Sequence, residues 1–126
     1  MIERRPSPRY QVETPVVVYF EKSARFTGLT RDASRGGLGL ELGRHAVEAL
    51  AQGGSVLTTG DRFRVEIDGV PGGPDPVVVA CRTSFVRRLA QDRYAIGAQF
   101  QRFEAGEARY DAFLARCASE APPGAR

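Results

Sequence analysis

The sequence predicts a mainly β fold: a six-stranded antiparallel β-barrel with a C-terminal α-helix. Three observations predict it. Six short runs are rich in β-branched and aromatic residues, several with apolar and polar positions alternating. Gly, Pro, Asp and Ser punctuate the spaces between them. Near the C-terminus the apolar period changes from two to that of a helix. At 126 residues the chain fits one domain.

Residues 1–11 read as an N-terminal arm. Pro6 and Pro8 exclude a helix interior and favour extended backbone. Arg4, Arg5 and Arg9 stand on it. By itself such an arm reads as a solvated basic tail. The barrel domain is expected over 12–118, with a flexible tail over 119–126. Val12 to Phe20 forms the first strand, where Pro15 marks an edge or a strand start. Glu21 to Ala24 turns the chain. Arg25 to Arg31 forms the second strand, and Gly28 inside it signals a bulge or a close approach. A bend follows over Asp32 to Gly37. In the third strand Leu38, Leu40 and Leu42 alternate with Gly39, Glu41 and Gly43.

Ala46, Val47, Leu50 and Ala51 fit one face of a short helix stopped by Gly53-Gly54. Asp61 to Asp68 alternates again and forms the fourth strand. The Pro- and Gly-rich segment from Gly69 to Pro76 is a loop. Val77 to Val86 and Arg93 to Phe100 form the fifth and sixth strands, with a turn over Arg87 to Asp92. Tyr110, Phe113, Leu114 and Cys117 then mark the apolar stripe of the terminal helix. That helix is expected to cover an opening or an edge of the sheet.

Composition narrows the function. Net charge is +3, too small for a sequence-blind nucleic-acid binder on charge alone. The aromatics follow the inward periodicity, whereas a single-strand binder needs them on a basic face. No apolar run approaches about 18 residues, so no membrane insertion is expected. The charged N-terminus has no leader pattern, so a cytoplasmic location with reduced Cys81 and Cys117 is expected. His45 is the single histidine, and no metal spacing appears. No nucleophile with an assisting base and no Walker-type loop is present, so no catalytic residue is assigned and no enzyme is expected.

Two short motifs carry the remaining information. Asp32-Ala33-Ser34-Arg35-Gly36-Gly37 has the form Asp-x-Ser-x-x-Gly. Alone it reads as a strand-to-strand turn. Upstream, Arg5-Pro6-Ser7-Pro8-Arg9 has the form Arg-x-x-x-Arg. Between them lies enough chain for a strand, a turn and a second strand. This pair, in this order and spacing, resembles the PilZ domain, a small β-barrel family that binds cyclic di-GMP.

The resemblance implies a receptor module without a cofactor, with cyclic di-GMP as its ligand. It assigns Arg5, Arg9, Asp32, Ser34 and Gly37 to binding, with Gly36 beside them. Arg4, just ahead of Arg5, is a third cation within reach, and Arg35 is a possible helper. The chemistry of these residue types suits such a ligand. Arginine forks onto phosphate and onto the O6/N7 edge of guanine. A carboxylate accepts from guanine's N–H donors, and a serine hydroxyl serves either a phosphate or the bend. A module with no output domain acts through an unidentified protein effector. The alternative is a PilZ-like adaptor that contacts protein partners and no longer senses nucleotide.

Overall fold

The computed structural model describes residues 8–22 and 24–120. Six strands form a closed antiparallel barrel: β1 (Tyr10–Tyr19), β2 (Phe26–Ala33), β3 (Gly37–Gly43), β4 (Arg62–Ile67), β5 (Val77–Ala90) and β6 (Arg93–Ala105). Around the barrel they run β1-β2-β3-β6-β5-β4, and β4 pairs with β1 to close the ring. Two helices complete the chain, α1 (Arg44–Ala49) and α2 (Glu107–Glu120).

Closure follows from the alternation. Val16 and Val18 of β1, Leu38, Leu40 and Leu42 of β3, Phe63, Val65 and Ile67 of β4, and Val77, Val79 and Cys81 of β5 all point inward and are buried. Their polar neighbours point out. Closing a sheet this small requires local coiling. The β1–β2, β2–β3 and β5–β6 ladders all carry register shifts that supply it. Gly28 is a site of close approach rather than a bulge: a Cβ there would overlap the Leu42 side chain. Burial pushes the Cys81 thiol's pKa up, so it stays a packed thiol.

Several boundaries differ from the sequence reading. β1 begins at Tyr10, so Tyr10 and Gln11 belong to the barrel rather than to the arm. Pro15 lies within β1, but β4 pairs only from Val16 on, so β1 is an edge on that side at Pro15. The expected turn over Arg87 to Asp92 is mostly strand. β5 continues to Ala90 and β6 to Ala105, giving a long hairpin turned at Gln91 and Asp92. Bulges hide that continuity from a period-two reading. α1 ends at Ala49, before Gly53. α2 runs to Glu120, into the segment expected to be tail.

The helices plug opposite ends. β3 runs from the bend at Gly37 to α1 at Gly43, and Val47, Leu50 and Leu57 bury at that end. β6 runs back toward the bend and delivers α2 there. Tyr110 and Leu114 of α2 are buried. Phe100, Phe103, Tyr110 and Phe113 form an edge-and-tilt aromatic cluster with ring centroids 5.2–6.0 Å apart. Among the described residues no helix is long and apolar enough to cross a membrane.

Candidate functional site

The Asp-x-Ser-x-x-Gly stretch is not one bend. Asp32 and Ala33 are the last residues of β2, and Gly37 is the first of β3. Only Ser34, Arg35 and Gly36 lie between. Ser34 is 4% exposed. Its amide donates to the Gly37 carbonyl at 2.9 Å, its hydroxyl donates to the same oxygen at 3.3 Å, and it accepts from the Gly36 amide at 3.3 Å. The hydroxyl therefore clamps the turn. The Gly36 carbonyl accepts from the Phe100 amide at 2.8 Å.

Neither Gly36 nor Gly37 has positive φ; among the described residues the glycines with that conformation are Gly60, Gly69, Gly72 and Gly106. Gly37 is needed for another reason. A Cβ there would overlap the carbonyl oxygen of Ala98 on β6. A backbone atom cannot swing aside as a side chain can, so only glycine lets β3 and β6 meet here. Gly36 faces open space and Arg35 is exposed at the tip.

Helix α2 is tied to this turn. The Tyr110 hydroxyl donates to the Ser34 carbonyl at 2.6 Å. Burial pushes the phenol's pKa up, so it keeps its proton and remains the donor.

Asp32 points the other way, to the outside of the barrel. It pairs across the sheet with Gln11 on β1 and Gly39 on β3. Gly39 makes room for it: a Cβ there would collide with the Asp32 carboxylate. The Arg9 guanidinium donates to Asp32 Oδ1. This brings together one residue from each of the two sequence motifs. The pair is open, with the Arg9 and Asp32 side chains 51% and 35% exposed. An ion pair that wet is worth about 1 kcal/mol or less, so either partner can turn to a ligand at little cost. Arg4 and Arg5 lie outside the described residues.

Register shifts on both strands next to the pair open the surface. The β1–β2 ladder slips between Gln11 and Thr14, and the β2–β3 ladder between Thr30 and Asp32. A polar pocket of about 280 Å³ lies there, lined by Gln11, Val12, Glu13, Arg31 and Asp32. Bulges re-aim side chains in this way. Arg31 is held by Glu41 at 3.0 Å and lies 3.8 Å from Glu13, while Arg93 bonds the other oxygen of Glu41. These carboxylates leave Arg31 less available than Arg9 for an anion.

Sequence reasoning missed Gly39 and Tyr110 as parts of this region. Gly39 left a signal, as an outward position in a strictly alternating strand. Tyr110 left none beyond its place in an apolar stripe.

No curated protein matches this chain. Its fold is similar to that of the Bacillus subtilis inhibitor of motility MotI/DgrA, with a TM-score of 0.65 at 17% identity. The likeness covers 96% of this chain and 55% of that one, so the chain spans about half the length of that protein. At this identity the likeness is one of fold. The sequence model of the PilZ domain matches residues 3–116, nearly the whole barrel with its terminal helix, and the chain belongs to the PilZ domain family.

Proposed function

We propose that the chain is a cyclic di-GMP receptor module without catalytic activity. One observation carries the reading. Arg9 of the arm motif and Asp32 of the turn motif meet on the outside of the barrel, open to solvent, beside a polar pocket. The two phosphates of the ligand call for arginine, and Arg9 with Arg5 and Arg4 supplies it. Guanine's N–H edge calls for a paired acceptor, and Asp32 supplies that. Ser34, Gly36 and Gly37 hold the turn that aims Asp32 outward. The segment ahead of Tyr10 acts as the arm, and Tyr10 to Glu120 act as the receptor domain with its terminal helix.

The signal leaves through a protein effector. Ligand bound at Asp32 biases the turn, and the turn is bonded to β6 through Gly36 and Phe100 and to α2 through Ser34 and Tyr110. A ligand that favours one placement of α2 shifts its population, and the partner reads that surface. The reading places the chain in the cytoplasm. Calorimetric titration with cyclic di-GMP tests it, with cyclic di-AMP and GTP as controls. Saturable heat with cyclic di-GMP alone is expected. No heat with cyclic di-GMP refutes the receptor reading and leaves the protein-interaction adaptor.

A further inference from the structure

The barrel is closed along only part of β5. β4 pairs with it from Val77 to Arg82. One residue on, the Thr83 amide donates to the Asp61 carbonyl and the Thr83 carbonyl accepts from the Gly60 amide, each at 2.8 Å. Beyond Thr83 no backbone hydrogen bond reaches that side of β5 among the described residues. On its other side β5 stays paired with β6 as far as Ala90. Residues 84–90 are therefore an open sheet edge, and all of them but Val86 are exposed. The edge contains no proline. Such an edge is a template for a further strand.

Two features decide what kind of strand. Leu89 is 49% exposed although it is large and apolar. Positive charge surrounds it: from Arg82 to Arg93 the chain carries four arginines against one carboxylate, Asp92. Arg87 holds no carboxylate among the described residues. Its cross-strand row runs through Ala95 to Glu41, and both Glu41 oxygens are already bonded, one to Arg31 and one to Arg93. Arg88 folds back onto the carbonyls of Ala90 and Gln91 at 3.1 and 3.3 Å. Antiparallel pairing with a second copy sets these arginines against their own kind, which destabilises. An acidic strand meets them favourably.

We propose that the 84–90 edge docks an extended acidic segment of the effector, which joins β5 as an added strand. This rests on the part of the reading above in which the signal leaves through a protein, and not on ligand binding. Backbone hydrogen bonds along the edge supply affinity. An apolar side chain that covers Leu89 and a carboxylate that meets Arg87 supply the choice of partner.

The probe is a labelled peptide of alternating valine and glutamate. Its controls carry lysine for glutamate, glycine for valine, or a methyl group on every backbone nitrogen. Fluorescence anisotropy reads binding to the full chain, and hydrogen exchange reads the amides that the peptide protects. Saturable binding of the valine–glutamate peptide is expected, with slowed exchange concentrated at 84–90. N-methylation is expected to weaken it about 10-fold or more, since the backbone bonds are lost. The double variant Arg87→Glu, Arg88→Glu is expected to weaken it about 10-fold and to bind the lysine peptide instead. Leu89→Ser weakens it severalfold with unchanged melting temperature. No saturable binding, equal binding of the N-methylated peptide, or protection confined to another strand overturns the docking edge. Self-association of the chain through 84–90 in sedimentation also overturns it and gives the edge to a second copy. The cyclic di-GMP titration is independent of all these outcomes, so the docking edge and the receptor reading fail separately.

Discussion

The two ends of the Asp-x-Ser-x-x-Gly stretch do different work. At one end Ser34 and Gly37 are buried and bonded to each other, with β6 backbone pressed against Gly37 and the Tyr110 hydroxyl on the Ser34 carbonyl. The Asp32 end is open, bonded to the half-exposed Arg9 side chain, and stands over Gly39. A stretch read as one bend is therefore half buried scaffold and half open face. The buried half fixes where the open half points. Gly37 and Gly39 make the contrast sharpest. They sit two residues apart on the same face of β3, one excluding a Cβ for a backbone, the other for an outward-facing carboxylate.

Breaking the scaffold end has the largest expected effect. Gly37→Val places side-chain atoms on the Ala98 carbonyl and is expected to cost about 2–3 kcal/mol of stability. A thermal melt checks this, and an unchanged midpoint would show that β3 and β6 part without cost. At the open end the order reverses. Arg9→Ala and Asp32→Ala are each expected to weaken cyclic di-GMP binding by about 1.5–3 kcal/mol, the scale of a charged hydrogen bond, with little change in melting. Asp32→Asn weakens it as well, since an amide offers one acceptor oxygen where the carboxylate offers two. Calorimetry beside a melt separates the two ends in one pair of experiments.

Gly39→Ala sharpens the contrast further. Its Cβ meets only a carboxylate that can swing away, so the fold survives while binding falls severalfold. Tyr110→Phe removes the hydrogen bond from α2 to the turn and leaves the Ser34 carbonyl without it. It is expected to cost about 1 kcal/mol, read by chemical denaturation. The smallest effect lies on the far side of the barrel. Arg64 grips Glu104 with two bonds at 2.7 and 3.0 Å, and Arg102 adds a third at 2.9 Å. The Arg64 hydrogen bonds hold the Glu104 carboxyl below its ordinary value. A carboxyl with a lowered folded-state pKa stabilises above the unfolded value and loses that contribution as pH falls through the folded one. Arg64→Ala should therefore cost about 1 kcal/mol or less near neutral pH, and the difference from wild type should vanish at pH well below 4. Denaturation midpoints at the two pH values check it.

The barrel was legible because its signal is local. Alternation in Leu38-Gly39-Leu40-Glu41-Leu42 marks an inward and an outward face, and Tyr110, Phe113 and Leu114 mark a helix. The motif residues were legible as a pair of patterns, but not their division of labour. Burial of Ser34 depends on α2 and β6, which arrive from far along the chain. The need for glycine at Gly37 was hidden too, because the crowding there comes from the Ala98 carbonyl of another strand. The outward turn of Phe85 in β5, which leaves its ring 47% exposed, was hidden for the same kind of reason. One register shift at Ser84 turns it outward, and a period-two reading places no bulge there.

The most direct test of the open-end account is a map of amide shifts as cyclic di-GMP is added to the isotope-labelled chain. The account predicts shifts concentrated at Arg9, Asp32, Ser34, Gly36, Gly37 and Gly39, with little change at α1 and β4. Shifts confined to α1 and β4, or none at saturating ligand, would contradict it.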